Sequence, residues 1–536
     1  MFLAGRTGCQ ELAPDCDLTL FFPCRGRVAT LSVPGEPVPG GSRGRRLTGP
    51  IAPRAVRLGR PGAVAFPAVA LHLYDTAARA VRAFEPLIPG QVSLYHCGVT
   101  VQGPPHIGHL RGAGVVYDVL RRWLEYSGYR VTQVRNVTDI DDRILVKARE
   151  AGEPWWELAA RNERACTEAY QALNCLPASI EPRATGHISQ IIELITRLID
   201  GDTAYAASGD VYFAVREQAD YGALSGQKLD EMNQGESEGH GKKDAADFTL
   251  WKGAKPGEPS WDSPWGHGRP GWHIECSAMA RNYLGDEFDI HGGGLDLVFP
   301  HHENEAAQSH GAGLRFARYW MHSFWVTMAG EKMSKSLGNT LSVKAVTDRV
   351  RPIDLRYYLV SVHYRSTIEY SPKALEDAAR AFSRIESFLH RAVGRIGPVE
   401  IGELPDDFVR AMDDDLGVPR GLAVLHDHLR TGNAAVDAGR PEVVKAAADA
   451  IRAMLAVLGL DPWDPGWAPT AGTAGSGVAS AESRALDTLI SGLLDKRQNA
   501  RAARDFAAAD AIRDQLSAAG ILVEDGSSGS TWSIER

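Results

Sequence analysis

No stretch of this 536-residue chain holds the ~18 uninterrupted apolar residues that a membrane span requires. The sequence has no overall excess of basic charge. Its net charge is -9, so a nucleic-acid partner would need a local basic surface. A disulfide framework is missing too, because the seven cysteines are odd in number and irregular in spacing. There is no glycine-rich G-x-x-x-x-G-K-[ST] loop, which disfavours a P-loop nucleotidase, and no H-E-x-x-H, which disfavours the corresponding metalloproteases. Internal repeats are absent as well. These absences predict a soluble, reduced, cytoplasmic protein of several domains with ordinary core-forming composition.

Residues 1–68 are rich in Gly, Pro, Ala and Arg with little periodicity, and a disordered extension is expected there. Its Arg-rich second half is faintly like a transit peptide, and Cys9, Cys16 and Cys24 read as incidental. From Val92 the text changes. "VSLYHCGVTV" reads as a buried strand, "GPPHIGHLRGAGVVYDVLRRWLEYSG" as a glycine-rich turn entering a helix, and "YRVTQVRNVTD" as the next strand. That order predicts a βαβ unit and a parallel sheet over 69–150. A mainly helical insertion with a strand-like "GDVYFAV" is expected over 151–260, and strand patterns return over 261–345. Helices dominate 346–462, a Pro/Gly/Ala linker covers 463–482, and 483–536 reads as a helical hairpin with a strand-like end.

Three short segments carry chemistry. "PPHIGHL" sets His106 and His109 around Gly108 at a strand-to-helix turn, where free N–H groups and the helix dipole attract phosphate. The bland reading is a turn with two histidines and no ligand. "GEKMSKSLGN" sets Lys332 and Lys335 in a Ser/Gly loop suited to closing on a polyphosphate, although loop lysines are ordinarily just solvated. "FPHHENEAAQ" crowds two histidines and two glutamates into five positions. If Pro300 opens a helix, His301 and Glu305 share a face, which makes half a metal site. Cys97 in "YHCGVTV" and Cys276 in "GWHIECSAMA" each flank a motif that should face the crevice at the strand ends, and with His301 and Glu305 they make a zinc-compatible set. Either cysteine alone reads more simply as buried core.

The pair "HIGH" and "KMSKS" resembles the signature of class I aminoacyl-tRNA synthetases at the two ends of a split nucleotide fold. "NVTDIDDRI", "EPRATGHI", "PSWDSPWGHGRPGWHIECSAM", "DIHGGGLDLVFPHHENE" and "MDDDLGVPRGLAVL" narrow the likeness to the cysteinyl-tRNA synthetase family over about residues 71–536. The resemblance implies a Rossmann-like α/β catalytic domain with an inserted domain, then an α-helical anticodon-binding bundle and a small C-terminal tRNA-binding module. It implies ATP-dependent joining of L-cysteine to tRNA(Cys) through a cysteinyl-adenylate, with Mg2+ accompanying ATP and one Zn2+ per chain recognising the thiolate. Cys97, Cys276, His301 and Glu305 would then be the zinc ligands, and Thr138 and Trp272 with Cys97 would line the cysteine pocket. His106, Gly108, His109 and Lys335, helped by Lys332, would act on the ATP phosphates, and Gly294 and Asp296 on the ribose. His273, His291, His302 and Glu303 are left as partners behind the ligands or as structural, because the resemblance does not make them ligands. Lys496, Arg497, Arg501 and Arg504 are candidates for tRNA phosphates, although a solvated helix face is the simpler account. A monomer without membrane attachment is expected.

Two relatives compete. A ligase joining activated cysteine to an amino-sugar would share the motifs but resembles a shorter chain without the region after 371. A non-catalytic RNA-binding relative would be expected to lose a motif histidine, the second lysine or a zinc ligand, and all are present here.

Overall fold

Gln91–His96 (β3) and Arg130–Arg135 (β4) share one burial pattern: the first residue exposed, the third partly covered and the rest buried. Near-continuous burial is what a strand covered on both faces shows, and parallel sheets are built from such strands. The computed structural model describes residues 71–229, 241–328, 330–332, 341–467, 481–526 and 529–534. β1 (His72–Asp75) and β2 (Ala80–Ala83) form an antiparallel ribbon. The central sheet has the order β10-β9-β3-β4, with β9 Glu287–Gly294 and β10 Phe316–Ser323, and every pairing in it is parallel. The chain leaves β3 toward β4 on one side, while β9 lies on the other. Outside the carboxyl ends of β3 and β9 is therefore a topological switch point, where open α/β sheets hold their ligands.

Between β3 and β4 the chain forms α1 (Ile107–Leu110), a π-helical turn over Arg111–Val115 and α2 (Val116–Tyr126). The π turn coincides with Arg111, whose side chain is fully buried. Its guanidinium donates to the carbonyls of Phe324, Trp325, His363 and Ser366 at 2.7–3.0 Å. One buried cation thus ties the helix after the HIGH turn to two later segments.

After β4 come α3 (Asp142–Ala151), α4 (Trp155–Ala172) and α5 (Ile188–Asp200). The rest of the insertion holds more strand than expected, since only "GDVYFAV" read as extended. β5 (Ala204–Ala207), β6 (Asp210–Phe213), β7 (Phe248–Gly253) and β8 (Gly268–Pro270) make an antiparallel sheet. In β7 four consecutive residues are buried, so the two-residue alternation that announces a strand is missing from the sequence. The polar residues 230–240 lie outside the described residues, as do the extension 1–68, residues 333–340 with Lys335, and 468–480 of the linker.

α6 (Ile274–Leu284) precedes β9 and α7 (Glu303–Gly311) follows it. Beyond β10, β11 (Val326–Met328) pairs with β12 (Glu331–Lys332) and with β13 (Ile368–Glu369) around α8 (Val343–Thr347) and α9 (Pro352–Val360). The expected helical region follows as α10 (Pro372–Ile396), α11 (Asp406–Asp413), α12 (Val418–Asp437) and α13 (Pro441–Val457). The last module is α14 (Ala481–Ala502), α15 (Phe506–Ala518) and the hairpin β14 (Ile521–Gly526) with β15 (Gly529–Ile534).

One apolar core runs from Leu94, Leu120 and Trp123 to Phe382, Phe388 and Leu455, so the helical bundle and the sheet share it. A buried ionic node crosses the same boundary. Asp118 on α2 accepts from Arg122 at 2.8 Å, from Arg356 on α9 at 2.5 Å and from the Leu176 amide at 2.7 Å. Burial pushes the Asp118 carboxyl up, but the two guanidinium groups and the amide outweigh it and hold it down at about 2. Asp118→Asn should cost about 3–5 kcal/mol in denaturant unfolding, because it strands two buried cations. A depressed acid contributes stability above its unfolded value of about 4 and loses it as pH falls toward the folded value near 2. Acid unfolding of the variant should accordingly be shallower than wild type between those limits.

Candidate metal and nucleotide site

Cys97 is the first residue past β3. Its amide donates to the Gly292 carbonyl of β9 at 2.9 Å, so the thiol stands at the switch point. Two glycines make this approach possible. A Cβ at Gly98 would overlap the Asn136 carbonyl, and one at Gly292 would overlap the Tyr117 ring. Cys276 comes from the first turn of α6, and its sulfur lies 3.8 Å from that of Cys97. His301 and His302 come from a π-helical turn over Val298–His302, and Glu305 from the first turn of α7. Pro300 does not open the α-helix, as the sequence suggested. It sits inside this turn, and the regular helix begins at Glu303. The four-residue spacing survives, with His301 Nε2 3.0 Å from Glu305 Oε1.

Every member is buried: Cys97 4 %, Cys276 1 %, His301 2 % and Glu305 0 % exposed. Cys97 Sγ donates to Glu305 Oε1 at 3.6 Å, and His291 Nε2 donates to Glu305 Oε2 at 2.7 Å. Burial pushes the Glu305 carboxyl up, but His291 and His301 outweigh it and bring it to about 2. Burial lowers the His301 imidazolium, yet the Glu305 carboxylate and the Cys276 sulfur raise it to about 10. Burial also raises the Cys276 thiol, and the hydrogen bond from Cys97 together with cationic His301 brings it down to about 6. Cys97, burial-raised and donating to Cys276, keeps its proton. A thiolate, a carboxylate and an imidazolium converge in this buried cluster.

Among the described residues, two overlapping donor sets meet the spacing of a metal site, with all ligand atoms within 4.8 Å: Cys97, Cys276, His301 and Glu305, or Cys97, His291, His302 and Glu305. The second set contains residues that the sequence reading did not take as ligands. His302 Nε2 lies 3.3 Å from Cys97 Sγ, and its Nδ1 bonds His322 Nε2 at 2.7 Å, which in turn meets Thr76. Burial holds His302 and His322 below the usual imidazole value, so both rings are neutral. His273 Nδ1 meets His301 Nδ1 at 3.0 Å. His322, Thr76 and Trp320, which stacks on His291 at 4.7 Å, were not picked out from the sequence. Their distance along the chain from the HHENE run hides them.

The remaining expected residues surround this cluster. Trp272 stacks on His301 with centroids 4.3 Å apart. Thr138 is buried, and its hydroxyl donates to Glu275 at 2.5 Å. His106 is buried at the start of α1, its ring stacked on His109 at 3.6 Å, and the Ile107 amide donates to the Leu341 carbonyl. Leu341 is the first described residue after 333–340, and Ser342 beside it bridges to His106. Lys332 pairs through its backbone with Thr327 in β12. Asp296 follows Gly294 in a 3-10 turn and accepts from Trp325 Nε1 at 3.2 Å. In the last module Lys496, Arg501 and Arg504 are exposed, whereas Arg497 is 4 % exposed. Arg497 is thereby removed from the expected phosphate-contacting group.

A family model described as "tRNA synthetases class I (C) catalytic domain" matches residues 83–380, more than half of the chain. A DALR domain model matches 407–460, and a "Cysteinyl-tRNA ligase anticodon binding domain" model matches 483–532. The chain belongs to the cysteinyl-tRNA synthetases. Members of this family join L-cysteine to tRNA(Cys) at the expense of ATP, and this chain is such a cysteine–tRNA ligase. The presence of the last module argues against the shorter amino-sugar ligase. Among solved structures, the chain is similar to Agrobacterium radiobacter K84 agnB2 LeuRS in complex with tRNA and LeuAMS. Identity is 11%, TM-score 0.52, with 71% of this chain and 87% of that one covered. It is also similar to Mycobacterium tuberculosis methionyl-tRNA synthetase with methionyl-adenylate, at 15% identity and TM-score 0.49, covering 69% and 89%. At such identity the LeuRS likeness bears on the fold alone. No helix among the described residues is long and apolar enough to cross a membrane.

Gly292→Ala tests the switch-point packing. Tyr117, which the new methyl would strike, is fully buried and donates to the carbonyls of Gly293 and Met321 at 3.0 and 2.8 Å. Neither partner can yield. The variant should lose about 1–3 kcal/mol of stability in denaturant unfolding and should slow cysteine-dependent ATP–pyrophosphate exchange as β9 is pushed from Cys97.

Proposed function

We propose that Cys97, Cys276, His301 and Glu305 hold one zinc ion per chain and that this ion recognises the substrate thiolate. The observation that carries the choice between the two donor sets is the second nitrogen of each imidazole. His301 has an outer partner on Nδ1, the ring of His273, whereas the buried Nδ1 of His291 has none. A metal-bound histidine almost always engages its other nitrogen, which fixes the tautomer and strengthens the ligand. His291 instead serves as the outer partner of the Glu305 carboxylate, and His302 as a neighbour of Cys97. Two sulfurs, a nitrogen and an oxygen suit zinc. When bound, zinc supplies a soft acceptor that prefers the sulfur of cysteine to the hydroxyl of serine.

The chain's own groups do the rest. Trp272, Thr138 and Cys97 close around the amino acid and keep water from it. Its carboxylate attacks the α-phosphorus of ATP, the bond to pyrophosphate breaks, and cysteinyl-adenylate forms. His106 and His109 steady the charge gathering on the phosphates, with Gly108 letting the base lie near the backbone and Mg2+ accompanying ATP. Lys335, helped by Lys332, offsets charge on departing pyrophosphate. Gly294 and Asp296 orient the ribose. A terminal hydroxyl of the tRNA then attacks the carbonyl and AMP leaves. Alignment and electrostatics suffice, and no side chain forms a covalent intermediate. The enzyme reads as a cytoplasmic monomer.

Purified protein should carry one zinc per chain by elemental analysis, and Cys276→Ser should lose it. Unchanged zinc in that variant would remove Cys276 from the ligand set. Lys335→Ala should slow ATP–pyrophosphate exchange about 10²–10³-fold, with the KM for cysteine little altered. A rise in that KM with unchanged rate would instead make the lysine a binding group.

A further inference from the structure

Glu275 stands immediately before Cys276 on α6 and is 1 % exposed, yet only one of its oxygens is used. Oε1 accepts from the Thr138 hydroxyl at 2.5 Å, whereas Oε2 is buried without a partner. Thr138 Oγ1 in turn accepts from Asn136 Nδ2 at 3.2 Å, and Asn136 Oδ1 accepts from the Gly98 amide at 2.8 Å. Gly98 is the residue after Cys97. A chain of three side chains, each no more than 2 % exposed, therefore runs from the backbone beside one cysteine to the residue beside the other. No direct backbone pairing of β3 with α6 does this work, since a helix turn and a strand end have no ladder in common.

We infer that Glu275 is a positioning residue for the metal centre: through Thr138 and Asn136 it fixes the separation of the segments bearing Cys97 and Cys276. This inference rests on the proposed zinc reading. Two details shape it. The orphan Oε2 means that the carboxyl acts as a hydrogen-bond acceptor rather than as half of an ion pair, so an amide oxygen will serve equally well. The Thr138 hydroxyl gives its single proton to Glu275, so Thr138 has no donor to offer a substrate. Outer partners of metal ligands commonly govern affinity by about 10–100-fold.

The test is zinc affinity of the full chain by chelator competition, with KM values for cysteine and ATP and a melting temperature for each variant. E275A and T138V should each weaken zinc about 10–100-fold and raise the KM for cysteine, leaving that for ATP unchanged. E275Q, which keeps the acceptor, should stay close to wild type and supplies a folded reference should E275A not fold. The double variant E275A/T138V should be no worse than the weaker single variant, because both break one chain. Wild-type zinc affinity in E275A, multiplying effects in the double variant, or an E275Q as weak as E275A would each overturn the inference. Wild-type protein that binds no zinc would overturn the metal reading and this inference with it.

Discussion

Glu305 is a carboxylate with no access to water, and the site is organised by that fact. Removing such an ion from solvent costs several kcal/mol unless cations and donors surround it. His291 from β9, His301 from the turn before α7 and the Cys97 thiol from the end of β3 all converge on its two oxygens. Each belongs to a different element, so satisfying one charge fixes the relative placement of strand, turn and helix. The imidazoles carry that constraint outward through His273 and through Trp320, stacked on His291. Weakening the carboxylate's surroundings would therefore loosen three elements together, whereas a lost surface ion pair loosens one side chain.

The sheet order decides where this cluster can be. β3 and β9 are neighbours whose onward connections depart in opposite directions, which leaves a crevice outside their carboxyl ends. Glycine is required at Gly98 and Gly292 because partner backbone and ring occupy the space that a Cβ would take. The same end of the sheet receives the HIGH turn, which Arg111 clamps to the carbonyls of Phe324 and Trp325 and to the loop at His363 and Ser366. Asp118, Arg122 and Arg356 then join α2 to the helical region. Catalytic and helical parts are held by buried charge as well as by apolar packing.

The parallel strands were legible because their apolar runs are bounded by glycine-rich turns, and the late helices because their periodicity is long and regular. Of the insertion's antiparallel sheet only β6 was legible, from the strand-like "GDVYFAV", since buried β7 shows no alternation. Cys97, Cys276, His301 and Glu305 were named from local context and likeness, and they do meet in space. The competing set with His291 and His302 was invisible, because only the folded distances bring β9 and the HHENE turn onto one sulfur. Glu275 was equally hidden. Its neighbour Cys276 drew the chemical reading, and a buried acid with one idle oxygen has no signature in sequence. Arg497 shows the reverse error: a basic run predicts exposure, and helix geometry turned one of its members inward.

Discrimination against serine follows from what the pocket withholds. A site that hydrogen-bonds a substrate hydroxyl rejects analogues lacking it, whereas an apolar pocket distinguishes a small polar change poorly. The single proton of the Thr138 hydroxyl is committed to Glu275, so in the proposed pocket it has no donor for the oxygen of serine. His302 and His322 bond to one another rather than into open space. In the proposed reading, with these donors already engaged, the difference between sulfur and oxygen falls on the metal centre. Selectivity is then as good as the geometry of two sulfurs, one imidazole and one carboxylate, which is why the groups behind them matter as much as the ligands.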